Sequence, residues 1–197
     1  DGETHQGIYD IPLLRHIPNM TIVHPRNAVE TFKMLNYAFY QNTGPFVIRY
    51  ERANANYDFD QGIPSEIGNL SWDVLRKSDQ GTFIGFGTTV DQVKDAYDKK
   101  NIDFGVIDAK TIKPLDEHLL HDVLSKDQHI LLYEEGIYSG GFASAVMEFA
   151  VKHHYDTRKM HVMAIEDKFV TQGTKEELLK ELNLDLDSII KKTQEMI

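Results

Sequence analysis

The sequence predicts an α/β chain in two parts: half of a doubly wound unit, then a more complete domain with a mostly parallel sheet covered by helices on both faces. Short β-favouring runs alternate with helix-period segments through most of the 197 residues, the pattern of βαβ units. A turn-rich stretch without period, Ala53 to Ser65, interrupts the alternation and reads as a linker. Two strand candidates precede it and five follow. The domains expected are therefore residues 1–53, a linker over 54–66, and residues 67–197.

The first strand is Thr21 to Val23. Asn27 with Glu30 then opens a helix whose Val29, Phe32, Leu35 and Phe39 share a face, and Phe46 to Tyr50 forms the second strand. Such a strand–helix–strand unit leaves sheet edges and an apolar helix face that need a further covering. Past the linker, strands are expected at Trp72 to Leu75, Thr82 to Phe86, Phe104 to Asp108, His129 to Tyr133 and His161 to Ile165. Helices start near Val90, Asp116, Gly140 and Thr174, the last with the capping pair Thr174 and Glu177, and an amphipathic piece follows Asp185. Lys113-Pro114 reads as a strand-to-helix turn. Short crossovers between apolar runs imply parallel pairing.

Composition narrows the function classes. With 41% hydrophobic and 26% charged residues the chain is ordinary globular material. Zero cysteines exclude disulfides, a zinc–thiolate site and an iron–sulfur cluster. A formal charge of -10 disfavours nucleic acid and anionic membrane as partners, so an anionic substrate needs local positive groups. No apolar run has the length of a membrane span, and no secretory signal is visible.

The chain opens on Asp1-Gly2-Glu3-Thr4-His5-Gln6-Gly7, with no methionine ahead of it, and its left edge is expected to be a cut. His5 and Asp1, four residues apart and each beside a glycine that lets backbone approach a ligand, suit a site that moves a proton or holds an oxygen. Glu134 and Glu135 close a predicted strand before Gly136, Gly140 and Gly141. Adjacent strand residues point to opposite faces, so these carboxylates do not converge as an acid/base pair; they read as structural, near a helix N-terminus. His118 with His121, and His153 with His154, have metal-like spacings but no third ligand beside them.

Several motifs, taken in order, carry a resemblance: His5-Gln6-Gly7, Ile17-Pro18-Asn19-Met20, Gly44-Pro45, Ile48-Arg49-Tyr50-Glu51-Arg52, Ile112-Lys113-Pro114-Leu115-Asp116-Glu117, Glu134-Glu135-Gly136, Gly140-Gly141-Phe142 and Gln172-Gly173-Thr174. Over nearly the whole chain this order resembles the 1-deoxy-D-xylulose-5-phosphate synthases, thiamine-diphosphate enzymes of the transketolase superfamily. The resemblance implies the C-terminal half of a pyrimidine-binding domain followed by a transketolase C-terminal-type domain. It implies pyruvate and glyceraldehyde 3-phosphate as substrates, joined with loss of CO2 toward isoprenoid precursors, thiamine and pyridoxal. It implies thiamine diphosphate and Mg2+ as cofactors, with their main ligands upstream of Asp1, so no residue of this chain is assigned to cofactor or metal. The chain alone is expected to be an inactive fragment.

On the same resemblance, His5 and Asp1 are the catalytic candidates and Arg52 the ligand of the substrate phosphate, for which a guanidinium fork is well matched. Arg49 reads as structural. Members of the family usually place proline and glycine on either side of this arginine; here Glu51 and Ala53 stand there, putting a carboxylate beside the phosphate ligand. A homodimer in the bacterial cytoplasm, or in a plastid for a eukaryotic source, is implied. The alternatives are the β subunit of a 2-oxo acid dehydrogenase, against which the histidine cluster and the Arg52 segment argue, and a non-catalytic dimerisation module.

Overall fold

The computed structural model describes residues 2–52, 54 and 57–197, so the candidate Asp1 lies outside the described residues, as does Ala53. In chain order the elements are α1 (Asp10–Arg15), β1 (Thr21–Val23), α2 (Ala28–Tyr40), β2 (Phe46–Ile48), β3 (Asp73–Arg76), β4 (Gly81–Gly85), α3 (Thr89–Lys100), β5 (Gly105–Asp108), β6 (Thr111–Lys113), α4 (Glu117–Leu124), β7 (His129–Ile137), α5 (Phe142–Lys152), β8 (Met160–Ile165), α6 (Lys175–Glu181) and α7 (Leu186–Met196).

The larger sheet has the order β3-β5-β4-β7-β8. Strands β5, β4, β7 and β8 run parallel, and β3 is an antiparallel edge on β5. Strand alternation divides its side chains between two cores. Ile84, Ile107, Ile130 and Leu132 pack with Leu120, Val123, Phe142 and Val146 of α4 and α5. Phe83, Val106, Leu131 and Tyr133 pack on the other face with Val93, Tyr97, Ile189 and Ile190 of α3 and α7. Both faces are thus covered, which is why these strands read as continuous apolar runs.

The smaller sheet corrects one expectation. Its order is β2-β1-β6, and β6 joins β1 antiparallel. Thr111 and Ile112, assigned to no element from sequence, and Lys113, expected in a strand-to-helix turn, therefore lend a strand to the N-terminal sheet. Three residues are too few for periodicity to identify, and the partner strand is remote in sequence. Ile11, Ile22 and Ile112 continue the α4/α5 core, so the two sheets share packing. The turn-rich stretch is fastened along α2: Asn36 donates to the Pro64 and Glu66 carbonyls at 3.1 and 2.9 Å. Asn27 accepts from the Glu30 amide at 3.1 Å, as its spacing predicts. Val29, Leu35 and Phe39 of α2 remain exposed, leaving the apolar face open among the described residues.

Candidate active site

β4 feeds α3 on one face of the larger sheet and its neighbour β7 feeds α5 on the other, so a crevice opens at the C-terminal ends of these two strands. Doubly wound sheets place ligand sites at such switch points. Here the chain's own side chains fill it. Gly87, at φ +73°, turns β4 into α3 and brings Thr88 and Thr89 to the crevice. Glu51 enters from beyond β2 and accepts from the Thr88 amide at 3.3 Å and from the Thr88 hydroxyl. Lys175, at the start of α6, bridges Glu51 at 2.7 Å and Glu135 at 2.8 Å. Thr89 donates its hydroxyl to Glu135 at 2.7 Å. Burial alone would raise the Glu51 carboxyl, but the hydrogen bonds from Lys175 and Thr88 outweigh it and hold the group below its ordinary value. Against burial, which lowers it, Glu135 and Glu51 keep Lys175 charged with a raised pKa.

Behind this cluster lies Arg49. It donates to Asp10 at 2.6 Å and to His24 Nδ1 at 2.8 Å, with its guanidinium 5.5 Å from the Phe86 ring centre. Arginine only donates, so Nδ1 is the acceptor and the proton sits on Nε2. Burial, then the Arg49 charge, lowers the His24 pKa to about 3. The structural reading of Arg49 agrees with these contacts. Arg26 pairs with Asp91 at 2.7 Å and lies 3.1 Å from Asp108, although the latter geometry is not that of a hydrogen bond. Burial raises the Asp108 carboxyl to about 7.

Glu134 and Glu135 take opposite faces, as alternation requires. Glu134 is fully buried and accepts from the Phe142 and Ala143 amides, each at 2.9 Å, capping α5. Burial raises its carboxyl to about 7, more than these bonds lower it. Glu135 turns to Lys175 instead.

His5 lies in an exposed turn ahead of α1, with Thr4 Oγ1 2.8 Å from its Nδ1. Gln6 next to it donates to the Val170 and Thr171 carbonyls at 3.3 and 2.9 Å. Tyr9 donates to the Lys168 carbonyl at 3.3 Å. The loop 168–174 therefore braces the His5 turn, and the next residue, Lys175, holds Glu51 beside Arg52. Arg52 itself is exposed. The Glu51 carboxylate faces the crevice and so does not pair with the neighbouring guanidinium. Sequence reasoning passed over Lys175, Thr88 and Thr89; the available signal was the Gly-Thr-Thr turn after a predicted strand. His121 and His153 do meet, with ring centres 4.7 Å apart, and His121 shares a hydrogen bond with the Tyr155 hydroxyl at 2.7 Å. Among the described residues no group of three or more His, Asp or Glu side chains is arranged to hold a metal ion. No helix among them is long and apolar enough to cross a membrane.

Both parts of the chain match known domain families. Residues 70–189 match the transketolase C-terminal domain, and residues 1–57 match the transketolase pyrimidine binding domain. The chain is 38% identical over 203 residues to the 1-deoxy-D-xylulose-5-phosphate synthase of Lysinibacillus sphaericus (strain C3-41) and 38% over 201 residues to that of Geobacillus sp. (strain WCH70). To that of Bacillus cereus (strain AH820) it is 37% identical over 202 residues. In each case all of this chain aligns with 32% of the relative, so the chain spans about a third of their length. Among solved structures, a split gene transketolase described as an inactive beta4 tetramer superposes with a TM-score of 0.80 at 24% identity, covering 98% of this chain and 62% of that one. That likeness bears on the fold.

Proposed function

The chain belongs to the transketolase family, and from that premise we propose that it forms the substrate-side wall of a 1-deoxy-D-xylulose-5-phosphate synthase. The reaction joins pyruvate and glyceraldehyde 3-phosphate, releases CO2 and yields 1-deoxyxylulose 5-phosphate, a precursor for isoprenoids, thiamine and pyridoxal. The observation that carries the reading is 38% identity to such synthases along the entire chain, supported by the 168–175 segment that links the His5 turn to Glu51, the neighbour of Arg52.

In this reading thiamine diphosphate and Mg2+ are held by residues outside this chain, and the work of this chain is done on the aldehyde. Arg52 grips the phosphate through paired N–H donors, which give both affinity and register. His5, exposed in its turn, donates to the aldehyde oxygen as it gains charge. Asp1 orients His5 or a substrate hydroxyl. A homodimeric, cytoplasmic enzyme completes the proposal, with 1–53 as part of its pyrimidine-binding domain, 54–66 as a linker and 67–197 as its C-terminal domain.

The test is product analysis with the full-length polypeptide, thiamine diphosphate, Mg2+ and pyruvate. Glyceraldehyde 3-phosphate as acceptor should give 1-deoxyxylulose 5-phosphate and CO2 in equal amounts. Acyl transfer to a lipoyl acceptor in place of that product would assign the dehydrogenase reading instead. No turnover with either acceptor would leave the dimerisation module.

A further inference from the structure

Glu51 is one peptide bond from the proposed phosphate ligand, yet its carboxylate points into the β4/β7 crevice. There it takes the Thr88 amide at 3.3 Å and Lys175 Nζ at 2.7 Å. Its side chain keeps 16% of its exposure and that of Lys175 43%, so the pair is partly shielded from water. Lys175 neutralises two carboxylates at once, Glu51 and Glu135. Removing it would leave both acids in one crevice with their repulsion uncompensated. The residues just before Lys175 carry the Val170 and Thr171 carbonyls that hold Gln6, next to His5.

We infer that Glu51 and Lys175 are positioning residues, a clamp that fixes the segment after β2 that carries Arg52 relative to the His5 turn, so that phosphate ligand and proton donor meet one substrate in register. The inference rests on the functional reading of Arg52 and His5. It also resolves the departure at position 51: the carboxylate does not compete for the guanidinium but anchors the backbone that carries it. Neither residue touches substrate. Their effect passes through where Arg52 sits, and misplacement by about 1 Å costs on the order of a hundredfold in an oriented reaction.

The experiment uses the full-length polypeptide with Glu51→Gln, Lys175→Met, both together, and Lys175→Arg. Either single change should lower kcat/KM for glyceraldehyde 3-phosphate roughly ten- to a hundredfold, mainly through KM. The KM for pyruvate should stay within about twofold, and unphosphorylated glyceraldehyde should respond far less. The double variant should be little worse than the poorer single, since both break one bridge, and Lys175→Arg should recover most of the loss. Exchange of the Thr88 amide hydrogen should quicken in Glu51→Gln, reporting the broken clamp without reference to turnover. An active wild type whose variants keep the KM for glyceraldehyde 3-phosphate would overturn the clamp while leaving the functional reading intact. Equal losses with both aldehydes and with pyruvate would also overturn it, reducing the pair to general fold support. A wild type that makes no product removes the functional reading and the positioning role with it.

Discussion

Gly141→Ala isolates the contact on which the α5 side of the sheet depends. Gly141 has φ -74° and ψ -164°, open to any residue, so alanine introduces no backbone strain. The penalty is steric. A β-carbon at this position would lie 2.6 Å from Glu134 Oε1, with Oε2 and the Ile137 carbonyl nearer still. Glu134 has no room to yield, because it is fully buried and held by the Phe142 and Ala143 amides at 2.9 Å. Alanine must push the carboxylate off at least one of them. A hydrogen bond to a charged group contributes about 1.5–3 kcal/mol, and overpacking itself costs about 1–3 kcal/mol. A loss of roughly 3–5 kcal/mol follows, a large share of the ~5–15 kcal/mol that holds a typical domain. Urea unfolding followed by circular dichroism measures it, with Glu134→Ala and the double variant completing a cycle. Removing the carboxylate relieves the Glu134 part of the clash, while the Ile137 carbonyl still crowds the methyl, so the double variant should be about 1.5–3 kcal/mol more stable than the sum of the singles, which counts the lost hydrogen bond twice. A Gly141→Ala cost below about 1 kcal/mol, or strict additivity, would refute the reasoning.

Three further outcomes are expected. His24, with its pKa lowered to about 3, supports the fold above its unfolded value near 6.5 and loses that support as pH falls through the interval, by about 1.4 kcal/mol per pH unit. The raised carboxyls of Glu134 and Asp108 act oppositely, losing support as pH rises from about 4 to 7, so the slope due to His24 must be read from the difference between wild type and His24→Gln; a difference that does not change with pH contradicts a buried neutral ring. In the full-length polypeptide His5→Ala should cut turnover by about 10²–10⁴-fold with cofactor affinity nearly unchanged, whereas activity within about threefold of wild type would remove His5 from the mechanism. Calorimetric titration of this chain alone with thiamine diphosphate and Mg2+ should show no tight binding, and micromolar affinity would place cofactor ligands within it.

Much of the fold was legible because its determinants are local. Asn27 and Thr174 cap the helices that their spacing indicates, and the apolar runs of β4, β5 and β7 record burial on both faces. What escaped was non-local. β6 is three residues long and has meaning only through β1, and β3 pairs antiparallel although nothing in its own sequence fixes its direction. The site divides in the same way. The opposed roles of Glu134 and Glu135 follow from strand alternation alone. The clamp of Glu51, Thr88 and Lys175 joins three segments that only the tertiary fold brings together, and no spacing within one segment could reveal it.

The proposed role of Arg52 as the phosphate ligand is tested by one comparison: kcat/KM of the full-length polypeptide and its Arg52→Ala and Arg52→Lys variants with glyceraldehyde 3-phosphate and with unphosphorylated glyceraldehyde. Arg52→Ala should lose roughly 1.5–3 kcal/mol of charge-assisted binding with the phosphorylated aldehyde. Arg52→Lys, which keeps the charge but not the fork, should fall between wild type and alanine. The unphosphorylated aldehyde should be almost indifferent to either change. Equal losses with both aldehydes would contradict the account and make Arg52 a support of the fold.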